Sequence, residues 1–316
     1  MRSEITLEGI RDAARAVDPV FLNTPQFVCE PLSERLGVTV VLKVETVNPI
    51  RSFKGRGADF LMHRLGAASR PIVCASAGNF GQGMAYACRK RGVPITVYAA
   101  HTANPLKIAR MRELGAKIEL EVGDFDQAKD AARRHAEAKG ELFVEDGRIG
   151  PIGEGAGTIA YELTHMAESL DAMLVPLGNG ALVNGVGTWL KHRSPGTRVV
   201  AVCAEGAPSM ALSWRARKAV DAPAATIADG ISVRVPVPEA VETMAATVDD
   251  VLLVDDGAMR DAMRWVLADA GLAVEPSAVA GVAALARYAG DFAGRRVATI
   301  LTGGNLTPEQ FREWLG

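Results

Sequence analysis

The stretch Asn48-Pro49-Ile50-Arg51-Ser52-Phe53-Lys54-Gly55-Arg56-Gly57 sets a basic side chain behind turn residues and ahead of glycines that let backbone crowd around it. A lysine near a helix start is ordinarily a solvated charge. An amine enclosed by glycine-rich backbone, close to helix ends that bind phosphate, can instead lose its proton and become a nucleophile. The surroundings of Lys54 therefore decide how the rest of the chain is read.

On either side of that stretch, short apolar or β-branched runs recur at 38–44, 72–75, 95–99, 117–121, 172–177, 198–204, 251–254 and 297–301. Each has the length and composition of a strand. Segments with helical spacing lie between most of them, for example Ala58-Leu61-Met62-Leu65 and Ile159-Leu163-Met166-Ala167-Leu170. This alternation predicts an α/β protein of mostly parallel sheet with helices on both faces. The run 71–147 holds three or four strand–helix units, enough for a small lobe inserted in a larger one. The expected division is a large domain of 1–66 and 148–316 and a small one of 67–147. The Ala- and Pro-rich segment 220–237 lacks periodicity and reads as a surface excursion.

Composition narrows the function classes. With 316 residues and 48% hydrophobic content the chain can bury a large core. Its 35 Lys plus Arg balance 37 Asp plus Glu, so no strong field draws it to nucleic acid or anionic lipid. Cys29, Cys74, Cys88 and Cys203 are scattered without C-x-x-C spacing, which argues against a zinc site or a disulfide framework and suits a reducing cytosol. The first residues form no apolar leader, and no run reaches membrane-helix length. A cytoplasmic protein acting on a small molecule is expected.

Three glycine-rich stretches follow predicted strands. Ser76-Ala77-Gly78-Asn79-Phe80-Gly81-Gln82-Gly83 opens a helix, and amides at such an end suit a carboxylate. A plain turn with Ser or Asn as N-cap would look the same. Gly178-Asn179-Gly180-Ala181-Leu182 also runs from strand to helix; with no Gly-Lys-Ser/Thr it is not a Walker loop, and it fits a single phosphate better than a dinucleotide. Thr302-Gly303-Gly304-Asn305 ends the last predicted strand, where an open α/β sheet points into its ligand crevice, although a tight closing turn reads equally well. One amine with several phosphate cradles reads as a pyridoxal phosphate site.

In this order the pieces resemble the serine/threonine dehydratase group of fold type II pyridoxal phosphate enzymes, the tryptophan synthase β superfamily. The resemblance covers roughly 24–305. It is carried by SFKGRGA at 52–58, SAGNFGQG at 76–83, GTIAYEL at 157–163, PLGNGAL at 176–182, TIADGI at 226–231, EPSA at 275–278 and TGGN at 302–305. It implies two open, twisted, mostly parallel sheets flanked by helices, in a large and a small lobe. It also implies that Lys54 bonds to the cofactor aldehyde and serves as base and acid at Cα, that Phe53 lies against the ring, and that Asn79 hydrogen-bonds the ring hydroxyl. Gly178, Asn179, Gly180, Ala181 and Leu182 would cradle the phosphate. Ser76, Ala77, Gly78 and Asn79 would bind the substrate carboxylate from the mobile lobe, and Thr302 would face the ring nitrogen.

The chain departs from the family pattern at several places. Ile50-Arg51 stands where Thr-Gly is usual, so Arg51 either receives a second acidic group of the substrate or points to solvent. Ala77 replaces the serine used as opposite-face acid/base in related racemases, which disfavours racemisation. Phe80 stands for a frequent His, and Asn179 and Ala181 replace two phosphate-loop glycines while keeping their amides. Glu205 matches the start of the family's cation site, but the expected downstream Asp falls near Ala211, so no metal is expected. With nothing after Gly316, a feedback-regulatory domain is not expected either.

A neutral hydroxyl at the ring nitrogen makes the cofactor a weaker electron sink than a carboxylate would, favouring rapid β-elimination over transamination. The expected reaction is dehydration and deamination of L-threonine, L-serine or another small β-hydroxy amino acid to a 2-oxo acid and ammonia, by a homodimer. Alternatives are β-replacement, threonine synthase-like chemistry, 3-hydroxyaspartate dehydration, and a catalytically silent binding protein on the same scaffold.

Overall fold

A computed structural model describes residues 4–66, 70–166 and 168–316. Its strands are β1 (Gln26–Val28), β2 (Thr39–Val44), β3 (Ile72–Ala75), β4 (Ile95–Ala100), β5 (Lys117–Glu121), β6 (Leu142–Val144), β7 (Ala172–Pro176), β8 (Arg198–Ala204), β9 (Asp250–Val254) and β10 (Arg296–Leu301). They form a six-stranded sheet of order β1-β2-β10-β7-β8-β9 and a four-stranded sheet of order β5-β4-β3-β6. All pairings are parallel except β1 with β2, where Gln26 pairs Lys43 and Val28 pairs Val41.

The strand sequences explain why both sheets are covered on two faces. Along β2 and β10, Val40, Leu42, Val44, Val297 and Leu301 pack into one core, while Val41, Ala298 and Ile300 point into another. Strands apolar at both parities must be buried on both sides. Each fully buried Val, Leu or Ile contributes about 1.5–3 kcal/mol. The helices Ala280–Arg287 and Asp256–Ala270 cover the first face, and Gly150–Leu163 and Ala181–Arg193 the second. A third core lies under the four-stranded sheet, where Ile72, Cys74, Ile95, Val97 and Val144 meet Met62, Met84 and Cys88.

The segment 220–237 is the surface excursion that its composition suggests only as far as residue 227; from Ala228 it turns inward. Ala228, Ile231, Val233 and Val237 are buried, and 229–235 form part of a cavity wall. Apart from one 3-10 turn at Asp229–Ile231 the segment is held by loop contacts: Ala225 N–H donates to the Gly206 carbonyl at 2.7 Å, and the Thr226 hydroxyl and Ile227 N–H both donate to Asp256. Side-chain and loop bonds do what a ladder would otherwise do, so periodicity is absent while burial is not.

Candidate active site

The strand ends bring the predicted stretches together. A cavity of about 850 Å³ is lined by Phe53, Lys54, residues 75–80, residues 178–183, Thr302, and the segment 229–235. Its walls are the carboxyl ends of β3 and β6 on one side and β7 and β10 on the other, the crevice position expected for open α/β sheets.

Lys54 is fixed by the loop before it. Asn48 accepts from the Ile50 and Ser52 amides and donates to the Glu45 and Ser52 carbonyls, closing the turn. Phe53 N–H then donates to the Thr302 carbonyl at 3.1 Å, Gly304 N–H to the Arg51 carbonyl at 3.0 Å, and Asn305 Nδ2 to the Ile50 carbonyl at 2.9 Å. The helix Lys54–Leu65 starts from this pinned loop. Lys54 Nζ donates to Asp146 Oδ2 at 2.6 Å and stands 4.8 Å from the Phe53 ring centre and 5.8 Å from that of Phe80. Its side chain is 16% exposed and that of Asp146 is 9% exposed. Arg51, by contrast, is exposed, takes φ 51°, and lines a separate small depression beside Phe311.

The two flanking loops are built differently. Ser76 Oγ accepts from the Gly78 N–H at 3.1 Å and the Gly81 N–H at 2.8 Å, so this serine caps the helix Asn79–Lys90. Asn79 Nδ2 donates to Glu275 Oε1 at 2.6 Å, and Asn79 Oδ1 accepts from Asn305 at 2.8 Å. In the second loop Gly180 has φ 92°, and a Cβ there would stand 2.9 Å from that of Ala240. This left-handed turn directs the chain into the helix Ala181–Arg193, whose first-turn amides have no partner inside the helix.

Buried charge ties the two walls together. Lys107, next to Gly78, donates to Asp229 Oδ2 at 2.6 Å and lies 3.7 Å from Glu275 Oε2. Burial alone would lower the Lys107 ammonium, but the two carboxylates outweigh it and raise it. Burial pushes Glu275 up, against the pull of Lys107. Nearer the mouth, Arg234 pairs Asp126 at 2.7 Å and Arg148 pairs Glu239 at 2.9 Å. Glu205 lies outside the cavity lining, in a half-exposed pair with Arg287 at 2.6 Å. Among the described residues no group of His, Cys, Asp or Glu side chains could hold a metal ion.

A model of the family described as "Pyridoxal-phosphate dependent enzyme" matches residues 17–303. The chain belongs to that family. It is 35% identical over 305 residues to an L-threonine ammonia-lyase of Thermotoga maritima, covering 96% of this chain and 76% of that protein. It is 32% identical over 310 residues to the L-threonine dehydratase biosynthetic IlvA of Bacillus subtilis, covering 96% and 74%. Among solved structures, maize serine racemase superposes with a TM-score of 0.91 at 26% identity over 98% of this chain and 96% of that one. The processed form of threonine deaminase isoform 2 from Solanum lycopersicum gives 0.88 at 26% identity over 99% and 94%. The enzyme is therefore a fold type II member of the serine/threonine dehydratase group, with pyridoxal 5′-phosphate as cofactor.

The residues present fit that cofactor. A lysine amine in a crevice, an aromatic ring beside it, and a helix start with a glycine turn at 178–182 match an aldehyde, a flat ring and a phosphate respectively. Sequence reasoning missed Asp146, Lys107, Asp229 and Glu275. Asp146 follows the strand Leu142–Val144, which at three residues is too short to show a period in the sequence.

Proposed function

We propose that the enzyme dehydrates and deaminates a small β-hydroxy amino acid such as L-threonine or L-serine, giving a 2-oxo acid and ammonia. The observation that carries this is Lys54 Nζ standing between two amide-rich helix starts in one cavity. The ammonia-lyase and dehydratase relatives, matched along 96% of the chain, support it.

The cofactor, when bound through Lys54, supplies a sink for the electron pair left when Cα loses its proton. Phe53 would pack against the ring, Asn79 would hydrogen-bond the ring hydroxyl, and the amides of Gly178, Asn179, Gly180, Ala181 and Leu182 would hold the phosphate. The first-turn amides after Gly78, in the loop that Ser76 shapes, bind the substrate carboxylate with Ala77 and Asn79. Lys54 takes the proton from Cα, and the Cβ hydroxyl departs with a proton as water, so loss of H from Cα and OH from Cβ balances the dehydration. Thr302 offers the ring nitrogen a hydroxyl, which does not hold a proton there as a carboxylate would. Ala77 places no second acid on the opposite face, so inversion at Cα lacks a donor. Of the expected lobe 67–147, whose first three positions lie outside the described residues, 70–147 move over the bound substrate and exclude water. The homodimer rests on the resemblance to fold relatives and is tested by sedimentation. A cytoplasmic location accords with four buried free cysteines and with the absence, among the described residues, of a helix long and apolar enough to cross a membrane.

The test is to incubate the cofactor-loaded enzyme with L-threonine alone. Equal amounts of 2-oxobutyrate and ammonia are expected, with none from Lys54→Ala, whose circular dichroism spectrum should match the parent. Product formed only when sulfide or another nucleophile is supplied would move the assignment to β-replacement.

A further inference from the structure

Asp146 is a buried titratable group of the cavity that the reaction described above does not use. The other cavity cations are already engaged: Lys107 by Asp229 and Glu275, Arg234 by Asp124 and Asp126. Among the described residues Asp146 makes one side-chain hydrogen bond, from Lys54 Nζ to Oδ2, while its Oδ1 is enclosed and has no partner. A buried carboxylate with an oxygen left unsatisfied is unfavourable unless a donor meets it. Bonding of Lys54 to the cofactor takes away amine hydrogens that now satisfy Asp146, so the loaded site has an enclosed carboxylate in need of a donor.

Its position says which part of a substrate supplies that donor. Val144 of β6 pairs with Cys74 of β3, two residues before Ser76, so Asp146 borders the carboxylate-binding loop. Gly147 packs so closely on Asn179 that a Cβ would collide with the Asn179 carbonyl oxygen, so Asp146 also borders the phosphate loop. A substrate with its carboxylate at 76–79 and its amine at Lys54 has its Cβ substituent in the space between, against Asp146.

Building on the elimination reading above, we propose that Asp146 reads the Cβ substituent. It accepts a hydrogen bond from a hydroxyl or ammonium on Cβ and rejects a carboxylate there. The substrates are then amino acids with a donor-bearing leaving group, L-serine, L-threonine or a β-amino analogue, and 3-hydroxyaspartate is excluded by like charge.

The experiment titrates the cofactor-loaded enzyme with L-alanine and L-aspartate, which carry no β leaving group, and reads the cofactor absorbance. The parent should bind L-aspartate more weakly than L-alanine. Asp146→Asn should improve L-aspartate binding on the order of tenfold while leaving L-alanine within about twofold. In turnover, the same variant should raise kcat/KM for 3-hydroxyaspartate relative to L-serine by a similar factor. Asp146→Ser, which also removes the charge, has to shift the ratio in the same direction. An unchanged L-aspartate to L-alanine ratio overturns the proposal. So does a loss of L-alanine binding in both variants, which would make Asp146 structural. If the parent is inert towards L-threonine and L-serine yet the binding ratio shifts as stated, the elimination reading fails and the role of Asp146 stands.

Discussion

Arg56, two residues beyond Lys54, is fully buried and makes six hydrogen-bond contacts through its five N–H groups: to Glu45 from Nε and Nη2, to Glu162 from Nη1 and Nη2, to Thr158 and to Thr24, with an Nη2 hydrogen shared. Lys43 completes the group by donating to Glu162, to the Thr24 carbonyl and to Gln26. Two cations face two carboxylates, so the set is neutral as it stands. Arg56→Met keeps much of the volume but leaves Glu45 and Glu162 buried with Lys43 alone. Stranding a buried charge costs about 3–5 kcal/mol, against a total stability of roughly 5–15 kcal/mol. At a few degrees per kcal/mol for a chain of this size, the melting temperature should fall by about 10 °C. Thermal and urea unfolding followed by circular dichroism at neutral pH measure it. Adding Glu162→Gln to Arg56→Met removes the stranded charge, so the double variant should lose clearly less than the sum of the two singles. A loss under about 1 kcal/mol for Arg56→Met, or strict additivity, would refute the claim that these buried charges depend on one another.

The same cluster sets an acid limit. Burial pushes the Glu162 carboxyl up, but the Arg56 hydrogen bond and charge, with Lys43, reverse that and leave it below the ordinary value of 4.5. The folded state then binds fewer protons than the unfolded one, so this stability is complete above pH 4.5 and is lost as the pH falls further. Melting curves carried from pH 6 down to about pH 3 should show the fall below pH 4.5, and Glu162→Gln should flatten it. Gly180→Ala forces a side chain into φ 92° beside Ala240, a strain of about 1–2 kcal/mol. It should weaken cofactor binding by on the order of tenfold while the fold persists; unaltered affinity in an absorbance titration would remove the phosphate loop from its proposed role. Burial pushes the Cys88 and Cys203 thiols up to about 12, and all four cysteines are buried. A thiol-disulfide reagent at pH 8 should find none of them in the native enzyme and all of them in guanidinium, whereas rapid native labelling would show that these cores open.

The long parallel strands were legible because burial on both faces leaves runs such as Ile72–Ala75 and Arg198–Ala204 apolar at nearly every position. Gln26–Val28 and Leu142–Val144 were not: three residues are too few to show a period, and β1 is an antiparallel edge strand with a half-exposed Phe27. The loops around Lys54 were legible because glycine, asparagine and proline act locally on the backbone. Lys107 was not, since in sequence it sits among Arg110 and Arg112 on a helix and looks solvated. Only its distant partners Asp229 and Glu275 mark it as buried. The partial misreading of 220–237 has the same origin, because its order comes from contacts with Gly206 and Asp256 rather than from its own periodicity.

These hidden contacts bear on how the proposed site binds anions. A phosphate and a carboxylate would ordinarily attract side-chain cations, yet Lys107 and Arg234 are both neutralised by carboxylates from the opposite wall. In the proposed site anion binding would therefore fall to backbone amides at 77, 79 and 80 and at 178–182, groups that do not titrate and need no counter-ion. The ion pairs Lys107–Asp229 and Arg234–Asp126 are thereby left to join the two walls. In such a cavity Lys54 is the cation whose engagement changes on cofactor loading. Asp146, its partner at 2.6 Å, is then the charge the substrate has to answer.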